Sequence, residues 1–133
     1  MKVMIDNDLP PRLATALHTV FEADGDEVVA LRVKFGRSNL KDEEWIPELG
    51  NEGRWAVISA DMRIAKRKPS RELFIRQGLV GFFFSPSLQK RPLFHQAARL
   101  MMLWPAIRDQ HRLNANGCFE VPMSGQRFRA IGR

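Results

Sequence analysis

Four short apolar runs constrain this chain more than any other feature. Residues 2–5, 27–31, 54–59 and 79–84 are apolar over most of their length, with little polar alternation. A strand with one wet face alternates, whereas a strand covered on both faces does not. The segments between them carry helical spacing. Leu13, Ala16, Leu17, Val20 and Phe21 recur as the sheet-facing stripe of a first helix, and residues 92–111 read as a long, largely apolar one that Pro105 should bend. Strands alternating with helices imply an α/β fold with a mostly parallel central sheet covered on both sides. The tail, residues 117–131, alternates around Ser124-Gly125, which predicts a C-terminal β-hairpin whose Pro122 and arginines suit a guarded edge.

Local signals place the boundaries. Asp8 precedes Pro10 and Pro11 and is expected to cap the first helix. Residues 33–41 read as a polar, basic loop around Gly36. Ser38 or Asn39 is expected to open a short helix through Asp42 and Glu43, with a kink or a fresh start at Pro47 and an end at Gly50 and Gly53. Ser70, after Pro69, is expected to cap a helix that stops at Gly78.

One domain, residues 1–133, is the expectation for this length. The lone Cys118 excludes an internal disulfide and suits a reducing, cytoplasmic setting; acids at the start replace an apolar leader, and no run reaches membrane-span length. His18, His95 and His111 lie far apart and offer no zinc spacing. Charge is strongly segregated. Residues 1–61 hold 12 Asp/Glu and 7 Lys/Arg, while residues 62–133 hold 3 and 14. A basic half of this kind fits a polyanionic partner such as nucleic acid.

Acids mark the ends of two of the strands. Asp6 and Asp8 follow the first run in MIDNDLPP, and Asp61 closes the third in WAVISAD. Asp42 opens the helix of KDEEWIPEL. In an open α/β sheet the carboxyl ends of the strands are where ligands bind. Carboxylates gathered there repel one another unless a cation sits among them, and all-oxygen ligation suits Mg²⁺ or Mn²⁺. Each piece alone has a plainer role, as a cap, a turn or a favourable charge at a helix start. The apolar stripe at residues 100–104 is most simply core, with an interface as the other option.

The run MKVMIDNDLPPRLATAL resembles the opening of PIN-like ribonuclease domains, in which an Asp ends the first strand. The stretch LKDEEWIPELGNEGRWAVISADMRI resembles their later signature, an acid opening a helix and then a strand ending in Ser/Thr-x-Asp. Within that family the chain is most similar to the VapC-like toxins of toxin–antitoxin modules, over roughly residues 1–85. The resemblance implies a PIN-like three-layer α/β/α fold and a metal-dependent endoribonuclease cutting single-stranded RNA to leave 3′-hydroxyl and 5′-phosphate ends. It implies Asp6, Asp42 and Asp61 as ligands of Mg²⁺ or Mn²⁺, with Asp8 and Glu43 as further carboxylates. The helical Glu that many PIN domains carry between the first two acids has no placed counterpart among Glu22, Asp24, Asp26 and Glu27. A cognate antitoxin and a homodimer are the implied protein partners. From the residues themselves, Arg63, Lys66, Arg67 and Lys68 follow Asp61 directly and suit RNA phosphates.

Two other classes compete. In a phosphoacceptor receiver, Asp6 and Asp8 would hold Mg²⁺ and Asp61 would take the phosphoryl group. Asn7 splits the acids, however, and Arg63-Ile64-Ala65 stands where Met62 would precede a proline. A catalytically inactive RNA-binding module would bind RNA equally well in EDTA.

Overall fold

A computed structural model describes residues 1–132; Arg133, counted above in the basic half, lies outside the described residues. The strands are β1 (Lys2–Ile5), β2 (Glu27–Ala30), β3 (Trp55–Ser59), β4 (Val80–Phe84), β5 (Gly117–Val121) and β6 (Arg129–Ala130). The helices are α1 (Pro11–Phe21), α2 (Leu31–Phe35), α3 (Asp42–Glu52), α4 (Arg63–Lys66), α5 (Lys68–Arg76), α6 (Pro86–Gln89) and α7 (Leu93–Leu113). The sheet order is β2-β1-β3-β4-β5-β6. The first five strands are mutually parallel, and only β6 runs antiparallel, closing the hairpin with β5. The expected α/β class, mostly parallel sheet and hairpin are all present.

Strand pleating divides the core in two. Val3, Ile5, Ala56, Ile58, Phe82 and Phe84 point to one face, where α1 and α7 cover them with Leu13, Leu17, Leu103 and Trp104. Met4, Trp55, Val57 and Phe83 point to the other, beneath Trp45, Ile46, Leu49, Ile64 and Phe74 of α3, α4 and α5. Both faces are dry, which is why the runs show no alternation. Gly81 lies where a Cβ would fall 2.4 Å from the Phe83 ring and 2.9 Å from that of Phe74. Its missing side chain lets those two rings meet edge to face.

Several boundaries differ from expectation. Leu31 ends no strand; it starts α2, and the chain leaves that helix through Gly36 at φ 76°. The first helix buries Ala14 in place of Ala16 and Val20, which are exposed, because β1 and β2 meet a narrower stripe than the apolar spacing offers. Asp8 caps nothing: Pro10 occupies the cap position with no side-chain bond. Lys41, not Ser38 or Asn39, precedes α3, and that helix runs unbroken through Pro47. Proline there forfeits one hydrogen bond, while burial of Trp45, Ile46 and Leu49 holds the helix down. Arg67 rather than Ser70 precedes α5, with Pro69 in its first turn. The stripe on α7 is core: Leu100, Leu103 and Trp104 are buried, while Met102, 76 % exposed, faces out, as do Phe94 and Leu113 elsewhere on the helix. No helix among the described residues is long and apolar enough to cross a membrane.

One buried charge ties the two ends of the fold together. Asp26, 4 % exposed, accepts hydrogen bonds from the Met1 ammonium at 2.9 Å, Trp104 Nε1 at 2.8 Å and Arg108 at 2.5 Å. Burial alone would raise its carboxyl. The bonds from Arg108, Trp104 and the N-terminus outweigh burial and hold it below the usual range. Asp26→Asn leaves two cations facing a neutral amide and is expected to destabilise the protein by about 3–5 kcal/mol, read as a fall in urea midpoint at pH 7. Because the carboxyl is depressed, its contribution is complete above the unfolded value of 3.8 and is lost as pH falls through the lower folded value. The gap between parent and variant should therefore close in acid.

Candidate active site

The strand order reverses between β1 and β3: the chain passes from β1 outward to β2, and from β3 outward to β4. The crevice above such a reversal, at the carboxyl ends of the strands, is the default ligand site of an open parallel sheet. Asp6 follows β1 directly, and its amide donates to Ile58 O of β3 at 2.9 Å, fixing the turn. Asp61 lies two residues beyond β3, and Asp42 is the first residue of α3. Asp6, Asp8, Asp42 and Asp61 line one cavity of about 320 Å³, together with Arg63 and Arg67.

Each acid is held differently. Asp6 Oδ1 accepts the Asn7 amide at 2.7 Å. Asp8 accepts Ser59 Oγ at 2.8 Å and the Ala60 amide at 3.2 Å, so it ties the first turn to the end of β3 instead of capping α1. Asp42 accepts Trp45 Nε1 at 3.2 Å. Asp61 is clasped by Arg63, whose backbone N–H donates at 2.9 Å and whose Nε donates at 3.1 Å.

The electrostatics follow from these partners. Burial, then the charges of Asp8 and Asp42, push the Asp6 carboxyl up to about 7, against the Asn7 amide that pulls it down. Burial also raises Asp8, more than the bonds from Ala60 and Ser59 lower it. Asp42 is raised by burial and by the neighbouring Glu43, despite Trp45, Arg63 and Arg67. Burial pushes Asp61 up as well, but the bonds and charge of Arg63 prevail and bring it below the usual range. Positive charge is thus concentrated on one acid of four, and the other three are short of it.

The donor chemistry suits a hard divalent cation: four carboxylates, and an Asn7 Oδ1 that lies buried with no hydrogen-bond partner. The arrangement is not that of a closed ligand shell. Among the described residues no three His, Cys, Asp or Glu side chains are placed together to hold an ion. The physical reason is visible in the partners: Asp61 is turned onto Arg63, Asp8 onto Ser59 and Asp42 onto Trp45.

Of the other residues singled out in the sequence, Glu43 is exposed and outside the cavity, reaching it only through its charge on Asp42. Arg63 and Arg67 line the cavity; Lys66 and Lys68 are exposed beyond it, Lys68 lying 4.0 Å from Glu72. Asp26, one of the acids between Asp6 and Asp42, is engaged in the buried network with Trp104 and Arg108 and does not line the crevice. Sequence reasoning misses Asn7, Trp45 and Ser59 as site residues. Asn7 donates to Ser38 O at 2.7 Å and its own carbonyl accepts from Arg32 at 3.0 Å, so both ends of it are fastened. The Ser of Ser59-Ala60-Asp61 is the available signal for the contact with Asp8.

Fold and crevice together define an open α/β protein with an acid-lined site at the reversal of its parallel sheet. A family model described as a PIN-like domain matches residues 1–86. The chain belongs to the PIN-like domain family, and the nuclease-type function general to PIN domains is the function this membership supports. Among curated proteins and solved structures, nothing matches the chain significantly.

Proposed function

We propose that the protein is a metal-dependent endoribonuclease acting on single-stranded RNA, the toxin of a type II toxin–antitoxin module. The observation that carries the catalytic part is the meeting of Asp6, Asp8, Asp42 and Asp61 with Arg63 and Arg67 around one cavity of a PIN-like chain. Asp6, Asp42 and Asp61 would hold Mg²⁺ or Mn²⁺, with Asp8 beside them. A divalent ion bound there would supply neutralisation of phosphate charge and an activated water. The chain's own residues do the rest. Arg67, exposed and with no carboxylate partner among the described residues, offers its guanidinium to a backbone phosphate. Ser59 and the Ala60 amide hold Asp8, and Trp45 holds Asp42, at the wall of the cavity, from which each would turn to reach an ion. In-line attack by water on phosphorus breaks the bond to the 3′-oxygen, leaving a 3′-hydroxyl and a 5′-phosphate.

The toxin part rests on the likeness of the sequence to VapC-like chains and on one surface. Phe94 and Met102, each 76 % exposed, flank Ala98 and Arg99 in an apolar groove on α7. A cognate antitoxin or a second copy of the chain would cover that groove. Incubation of single-stranded RNA with the protein, with and without EDTA, tests the catalytic reading. RNA bound equally in both and never cut would instead mark an inactive binding module.

The basic segment gives a quantitative expectation. Replacing Lys66, Arg67 and Lys68 together with Ala should lower the slope of log affinity against log salt by about two for single-stranded RNA, at ~0.7 per phosphate contact. Fluorescence anisotropy across a salt series reads it; an unchanged slope places the RNA elsewhere.

A further inference from the structure

The clasp on Asp61 sets a problem that the proposed function has to solve. A cation ligated by Asp61 needs the carboxylate face that Arg63 now occupies. Oδ2 of Asp61 accepts Arg63 Nε at 3.1 Å and lies 3.0 Å from Nη2, so the guanidinium covers that oxygen. Among the described residues no other carboxylate of the cavity carries an arginine within 4.0 Å. Arg63 is free to leave: its side chain is 78 % exposed, it opens a helix of only four residues, and Asp61 is the sole acceptor of its guanidinium among the described residues. Its release would return a bare guanidinium to the rim of a cavity in which it already sits beside Arg67.

We propose that Arg63 is an exchangeable latch between the two ligands of this site. It neutralises Asp61 in the cation-free protein. When a divalent ion takes Asp61, the guanidinium transfers to a phosphate oxygen of the RNA. This rests on the ribonuclease reading and adds its regulation: beyond the ion's own charge, ion and RNA strengthen each other's binding through one side chain. The sign follows from charge. Without the ion, four carboxylates repel the phosphate and one of them retains Arg63. With the ion, the repulsion falls and the guanidinium is available. Binding linkage then requires the same factor in both directions.

The test uses the full chain with Mn²⁺ alone, with a short single-stranded RNA carrying phosphorothioate linkages, and with both. Mn²⁺ binding is followed by the electron paramagnetic resonance of the free ion, and RNA binding by anisotropy, with the RNA checked intact on a gel. In the parent, saturating Mn²⁺ should tighten RNA binding about fivefold or more. Arg63→Gln removes the latch from an exposed position. It should bind Mn²⁺ about threefold more tightly than the parent when RNA is absent, and its Mn²⁺–RNA coupling should fall well below the parent's, to the part that the ion's own charge supplies. Arg67→Gln should weaken RNA binding equally with and without Mn²⁺ and keep the coupling. Arg63→Gln that binds Mn²⁺ no more tightly than the parent, or that keeps the full coupling, overturns the latch alone. A parent that binds no Mn²⁺ overturns the metal-site reading and the latch with it. Matching far-ultraviolet circular dichroism of parent and variants confirms that each comparison is between folded chains.

Discussion

Asp6→Asn is expected to abolish RNA cleavage and to leave the cation-free protein as stable as the parent or more so. Asp6 sits at the meeting of β1 and β3, with Asp8 and Asp42 as charged neighbours, and its carboxyl is pushed up to about 7. In the unfolded chain the group titrates at 3.8, so between that value and about 7 the folded protein holds the proton more tightly. The native state is therefore favoured in acid and loses stability as pH rises through this window, by about 1.4 kcal/mol for each pH unit crossed. The asparagine variant lacks this loss. Its melting temperature without metal should match the parent's near pH 4 and exceed it near pH 8. Added Mg²⁺ should raise the parent's melting temperature more than the variant's, since a ligand of the folded state alone shifts its stability. A variant that melts lower at pH 8 and still cuts RNA would make Asp6 a structural residue.

Leu103→Glu is expected to unfold the protein outright. Leu103 is 1 % exposed, inside the cluster where Trp104, Leu100 and Ile107 of α7 meet Phe82 and Leu17. A carboxylate there has no partner, and the loss should exceed about 4–5 kcal/mol, comparable to the whole stability of many domains. The measurement is circular dichroism of the purified variant at neutral pH. Met102→Lys, one residue away but 76 % exposed, should fold normally and lose only whatever assembly uses the α7 groove. A folded Leu103→Glu protein would mean that α7 does not pack as described.

The contrast between these neighbours shows what the sequence can and cannot convey. The apolar run at residues 100–104 announces a broad stripe, yet its spacing alone does not say which side chain faces the sheet and which faces out. The four dry strands are legible because burial on both faces removes alternation. The meeting of Asp6 and Asp61 is legible for a related reason, since parallel strands put their carboxyl ends on one edge; Asp42 opens α3 and is legible only through the likeness to the acid-opened helix of PIN-like domains. What the acids touch is not legible. Asp8 reads as a helix cap because it stands before two prolines, but Ser59 and Ala60, 51 and 52 positions away, claim its oxygens. Asn7 reads as a spacer between two acids, and only the fold shows its Oδ1 buried without a partner. The short α2 escapes notice because its five residues, flanked by Gly36, carry too little periodicity to separate from a loop. Pro47 and Ser70 mislead in the opposite way: local propensity is strong, and tertiary packing of Trp45, Ile46 and Phe74 overrides it.

The central claim is that the acid crevice is a cation-dependent site for breaking RNA. The most direct measurement is the fate of a single-stranded RNA incubated with the parent chain under three conditions: Mg²⁺ present, Mg²⁺ removed with EDTA, and Mg²⁺ restored in excess. The expected result is cleavage in the first and third conditions only, with new ends carrying 5′-phosphate and 3′-hydroxyl groups. Cleavage at full rate in EDTA, ends bearing a 2′,3′-cyclic phosphate, or RNA left intact in all three conditions would contradict it.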